Sequence, residues 1–100
     1  MRDLLPADAE MMRYVETVSR TISKLYGYDE IITPVLESYE LLAAKTSEEI
    51  RDRMYKFKDL GGRKVAMRPE FTASVARLVA SKLKNEPKPL RLFSVGSLYR

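Results

Sequence analysis

"AMRPEFTASVAR", residues 66–77, is the stretch on which the reading of this chain turns. An apolar run ends at Arg68-Pro69, an acid and a hydroxyl follow as Glu70 and Thr72, and a helical pattern then begins. Proline disfavours α geometry in the residue before it, so Pro69 keeps Arg68 extended and brings a strand to a firm end. The groups that follow are then held at the mouth of a helix. Glu70 has two possible tasks there. It can complement the positive end of the helix dipole, worth about 0.3–1 kcal/mol, with Thr72 as a capping hydroxyl. Alternatively, the Glu70 carboxylate and the Thr72 hydroxyl can clamp a small cationic group, such as an α-ammonium, by charge-assisted hydrogen bonds. Read locally, capping is favoured, because acids and hydroxyls are common at helix starts.

Upstream, "MYKFKDLGGRKVAMR" reads as two strands about a Gly61-Gly62 turn, with Tyr55 and Phe57 on one face and the lysines between them on the other. The glycine pair is a plain turn and not a phosphate loop, since the spacing and the Lys-Ser/Thr that follow such a loop are missing. Downstream, Val75, Leu78, Val79 and Leu83 give a helical stripe from about residue 72 to 84, and "NEPKP" forces a loop. Arg77 on that helix can be a salt-bridge partner or simple surface, and the latter is favoured. The last stretch, "LRLFSVGSLYR", reads as a strand kinked at Gly96. Arg100 follows it, and a guanidinium there is either solvated surface or a planar fork for phosphate or carboxylate.

Further out, Pro6 suits the first turn of a helix, and Met11, Val15, Val18, Ile22 and Leu25 recur at spacings of four, three, four and three. The spacing predicts an amphipathic helix with one buried stripe, capped at Gly27. In "YDEIITPVLE", Ile31 to Thr33 favour a strand while Pro34 removes a ladder donor, so that strand lies at an edge, ends there, or meets another chain. A short helix is expected over residues 38–45, and Thr46 with Glu49 forms a capping-box pattern that opens another through about Arg53.

One hundred residues, 45% hydrophobic and 32% charged, are one soluble globular domain's worth or less. No run approaches a membrane span, and Pro6 breaks the start before a signal-peptide core could form, so the cytoplasm is the expected compartment. There is no Cys and no His, which excludes disulfides, zinc-finger sites and His general bases within these residues. Chemistry here must run on carboxylates, Arg, Lys, hydroxyls and backbone groups. Residues 1–50 carry five Lys/Arg against ten Asp/Glu, a balance of −5, whereas residues 51–100 carry thirteen against four, a balance of +9, giving the net +4. The second half therefore favours an anionic partner, whether nucleotide, RNA backbone or acidic protein surface.

Taken in order, the helix, "YGYDEIITPVLE", the hairpin, "MRPEFTASVAR" and "PLRLFSVGSLYR" resemble the N-terminal part of a class II aminoacyl-tRNA synthetase, most closely the histidyl-tRNA synthetases of archaeal type. The resemblance implies an α+β fold, an antiparallel sheet flanked by helices, with residues 1–100 forming the first part of the catalytic domain. Its first motif falls at about residues 7–34 and implies a homodimer interface that includes Pro34. The loop at about 66–73 would belong to the amino-acid pocket, with Glu70 and Thr72 holding the α-ammonium of histidine. The second motif would begin at about 90–100, with Arg100 as the catalytic arginine that grips the ATP α-phosphate and the substrate carboxylate. Histidine, ATP and tRNA(His) are the implied substrates, and Mg²⁺ is expected with no metal ligand in this segment. Many bacterial members carry glycine where this chain has Phe71. The second motif's glutamate, the third motif and the anticodon-binding domain lie outside these residues, so the resemblance is to a truncated piece, with little tRNA charging expected from it alone.

Two other readings compete. A synthetase-like regulatory subunit of ATP phosphoribosyltransferase resembles this region but senses histidine without acylating tRNA, and tends to carry Asp where Glu70 stands. A small basic RNA-binding module needs no resemblance, although the aromatics are not gathered on a basic face as a stacking platform requires.

Overall fold

The computed structural model describes residues 2–100, in two compact units. The first comprises the chain up to Ile31 together with Pro89–Val95. Here α1 runs over Pro6–Leu25, with Pro6 at its first turn, Asp8 at the positive end and Lys24 at the negative end, as the helix dipole favours. Gly27 follows at φ 81°, the left-handed geometry that ends helices and that a side chain resists. Strand β1, Asp29–Glu30, then pairs with β5, Leu92–Phe93, and the pairing is parallel.

The expected buried stripe of α1 is not buried. Val15 is 55% and Leu25 78% exposed, and Met11, Val18 and Ile22 are exposed with them. The partly covered residues of α1 are Ala9, Glu16, Arg20 and Ser23, whose spacing of seven, four and three places them on the opposite face. Arg20 bridges Glu30 at 3.1 Å and Glu16 at 3.7 Å, so α1 rests on its unit through polar groups. The periodicity identified an amphipathic helix; which face this chain covers depends on partners that periodicity does not name.

The second unit comprises Ile32–Lys88 and Gly96–Arg100. It contains β2 (Leu36–Ser38), α2 (Tyr39–Ala43), α3 (Glu48–Arg53), β3 (Lys56–Lys58), β4 (Lys64–Met67) and α4 (Thr72–Lys82). The strands form an antiparallel sheet in the order β2-β4-β3, with Glu37 opposite Ala66 and Phe57 opposite Val65. This agrees with the expected antiparallel sheet flanked by helices; the parallel β1–β5 pair of the first unit is a separate ladder. The core is small: Leu42, Met54 and Ala66, with Tyr39, Ala43 and Ala73 packed against it. Lys56 and Lys64 both lie over the Tyr39 ring, with the amines 5.2 and 4.2 Å from its centre.

Local expectations need three corrections. The cap of α3 is Ser47, whose hydroxyl accepts from the Ile50 N–H, and not Thr46, whose hydroxyl donates back to the Leu42 carbonyl. Arg77 is no simple surface residue; its Nε reaches Glu37 at 2.8 Å and ties α4 to β2. No strand forms at Ile31–Thr33, since the ladder lies just before it at β1, and the strand expected along residues 90–100 shrinks to β5, because beyond Phe93 the chain turns to bond side chains and loop carbonyls instead of a ladder.

Candidate functional site

The site is assembled where β4 runs into α4. Arg68 leaves the sheet with its N–H donating to the Val35 carbonyl and its carbonyl accepting from the Tyr99 N–H, each at 2.9 Å. Pro69 is fully buried, so the two residues act as a fixed pedestal for Glu70. The Glu70 carboxylate accepts from the backbone N–H of Thr72 at 2.6 Å and of Ala73 at 3.4 Å. It therefore caps α4, satisfying two donors that the first helical turn leaves without partners. Thr72 is the first residue of α4 and contributes its backbone N–H; the expected capping role of its hydroxyl falls to the Glu70 side chain.

Capping does not exhaust Glu70. A carboxylate offers about four lone-pair directions, and two are engaged here. Glu70 and Thr72 also border a hollow of about 500 Å³ whose other walls include Leu42, Ile50, Ala73 and Ala76. Lys45, Thr46 and Ser47 line it as well, so this is a largely apolar hollow with a carboxylate, hydroxyls and one amine at its rim, a lining that suits a small polar molecule.

Arg100 joins the same group. Its Nε donates to the Pro69 carbonyl at 2.9 Å, which leaves both terminal nitrogens of the fork for an anion. The structure thus brings Glu70, Thr72 and Arg100 around one loop. Pro34 stands exposed, one residue beyond Thr33.

Three residues at or beside this loop, Arg68, Phe71 and Gly96, had a backbone or family reading in the sequence but no part in the site. The Arg68 side chain is only 6% exposed, and its guanidinium donates to the Thr33 carbonyl and the Ser97 carbonyl at 2.9 Å each. It lies over the Phe71 ring at 4.7 Å. Gly96 leaves the space for it, since a Cβ there would come within 2.5 Å of Nη2. An arginine inside an apolar run and a glycine outside any turn were the available signals.

Among the described residues no three or more acidic side chains gather as ligands of a metal ion would. No helix among them is long and apolar enough to cross a membrane.

The fold is that of the class II aminoacyl-tRNA synthetase catalytic core. A solved structure described as an ATP phosphoribosyltransferase regulatory subunit/histidyl-tRNA synthetase from Bacillus halodurans C matches all of this chain and 26% of its own, at 36% identity and a TM-score of 0.89. The apo histidyl-tRNA synthetase of S. aureus matches all of it at 36% identity and 0.85, over 24% of that chain. The family model for histidyl-tRNA synthetase matches residues 1–100, and the chain belongs to that family. Histidine–tRNA ligases of Saccharolobus islandicus and Saccharolobus solfataricus are 49% identical to it over 100 residues, in keeping with the archaeal resemblance. The chain spans 24% of the length of these relatives.

Proposed function

We propose that these residues are the first part of a catalytic domain that activates histidine with ATP and transfers it to tRNA(His). The observation that carries the reading is the loop itself: Glu70 and Thr72 at the mouth of α4 with Arg100 bonded to Pro69 beside them, in a chain 49% identical to histidine–tRNA ligases. In this reading the free lone pairs of Glu70 and the Thr72 hydroxyl hold the α-ammonium of histidine. The Arg100 fork holds the substrate carboxylate against the ATP α-phosphate. A carboxylate oxygen forms a bond to the α-phosphorus, the bond to the bridging oxygen breaks, and pyrophosphate leaves with that electron pair. Arg100 contributes orientation and offsets charge that grows on the phosphoryl oxygens.

The motif assignments belong to the same proposal: the first at about 7–34, the amino-acid loop at about 66–73, the start of the second at about 90–100. So do a cytoplasmic location and a homodimer that includes Pro34. The uncovered apolar stripe of α1 supports an association of this kind, because contiguous apolar patches on a surface commonly mark interaction sites.

Likeness to a structure whose description includes a regulatory subunit keeps the histidine-sensor reading as the rival. Family membership leaves the free-standing RNA-binding module without support.

Glu70→Gln tests the clamp. Glutamine keeps an acceptor for the helix N–H groups but removes the charge. In histidine-dependent ATP–pyrophosphate exchange by the full-length protein, the KM for histidine should rise about 10- to 100-fold, the size of a lost charge-assisted bond, with the KM for ATP changed little. Equal histidine KM values in parent and variant would reduce Glu70 to a helix cap.

A further inference from the structure

We infer that Arg68, supported by Phe71 and Gly96, is a positioning residue that sets Glu70 against Arg100. The inference rests on the proposed roles of those two side chains and adds a residue on which both depend.

Arg68 is a buried cation, and no carboxylate lies within 4.0 Å of it among the described residues. Burying an unpaired charge costs several kcal/mol, and an apolar side chain of similar volume is usually as stable or more so. A side chain kept only to fill space would not be a guanidinium. What the guanidinium supplies is direction. Its Nε holds the Ser97 carbonyl and its Nη1 the Thr33 carbonyl and, at 3.4 Å, the Thr33 hydroxyl, so one planar group fixes two segments 64 positions apart. The Phe71 ring closes the remaining face, a cation–π contact that limits how the plane can tilt. On the fourth side Gly96 admits Nη2, and any larger residue would displace it.

The consequences run outward along the chain. Ser97 is held by the Arg68 side chain, and Tyr99 by its carbonyl. The next residue is Arg100, whose Nε returns to Pro69. Glu70 follows Pro69 directly. The segment with the anion fork and the loop with the carboxylate are thus joined by three hydrogen bonds within two residues of Arg68, and two of them belong to Arg68 itself. A small tilt of this guanidinium changes the distance between the groups proposed to hold the two ends of one amino acid.

The test compares Arg68→Met, Arg68→Lys and Phe71→Leu with the parent in the full-length protein. Three quantities are read: thermal unfolding, the kinetics of histidine-dependent exchange, and deuterium uptake of the peptide covering residues 69–77. Arg68→Met fills the space without the bonds. We expect it to keep its unfolding temperature, lose at least about tenfold in kcat/KM for histidine, and take up deuterium at least about tenfold faster in that peptide, with peptides from α1 unchanged. Arg68→Lys should fall between, since an ammonium cannot span both carbonyls in one plane. Phe71→Leu should raise the histidine KM about threefold at constant stability, and it decides the matter if Arg68→Met does not fold. Kinetics and deuterium uptake that stay at parent values in the folded variants would overturn the inference. Should the parent itself show no histidine-dependent exchange, the reading of function fails, and deuterium uptake at residues 69–77 still decides whether Arg68 positions the loop.

Discussion

The helix α1 and the loop from Arg68 to Thr72 invert the usual rule in opposite ways. The helix leaves an apolar stripe in solvent and rests on Glu16 and Arg20, whereas the loop buries an arginine and turns carbonyls inward to meet it. Apolar residues inside and charges outside is a one-way tendency, and each departure carries information. An exposed stripe speaks of a surface beyond this chain. A buried cation answered on every side by its own neighbours speaks of a geometry completed within it.

The largest effect expected from that contrast falls on association. Val18→Asp puts a charge into the stripe, which should cost an interface several kcal/mol while leaving the fold of these 100 residues untouched. Sedimentation of the full-length protein should show the proposed dimer for the parent and monomers for the variant at the same concentration; equal states for the two would mean that the stripe is covered some other way. Next comes a matched pair of truncations. Leu42, 1% exposed, should lose about 2–5 kcal/mol of stability on substitution by Ala. Val15→Ala in the 100-residue chain should change denaturant stability by less than about 0.5 kcal/mol. Equal losses for the two would erase the distinction between a covered and an uncovered apolar face. The smallest effect is a pH dependence in the β3–β4 turn. The Arg63 backbone N–H, joined by the Arg63 side chain, holds the Asp59 carboxyl below its usual value against a weaker opposing pull from desolvation. A lowered folded pKa stabilises above the unfolded value and is lost as pH falls through the folded one. Acid should therefore loosen this turn by a slight margin, visible as a smaller protection factor for the Arg63 amide once the intrinsic pH dependence of exchange is divided out, and Asp59→Asn should remove that change.

How much of this was legible in the sequence follows the same division. Proline and glycine positions place α1, the hairpin and the loop before α4, because those residues restrict the backbone whatever surrounds them. The candidates Glu70, Thr72 and Arg100 came from their order along the chain and its resemblance to a family, and the structure brings all three around one loop. Arg68 was not, since its partners at Thr33 and Ser97 are distant in sequence and are main-chain carbonyls, which every residue carries. The Arg77–Glu37 bridge was hidden for a like reason, as 40 positions separate the pair. The covered face of α1 was misread because an apolar stripe looks the same whether its partner is the same chain or another.

The most direct measurement is ATP–pyrophosphate exchange by the full-length protein, with each of the twenty amino acids supplied in turn. A rate dependent on histidine and on no other amino acid, and reduced at low histidine by Glu70→Gln, is the predicted result. Histidine that binds without promoting exchange would contradict the activation reading and make the loop part of a sensor.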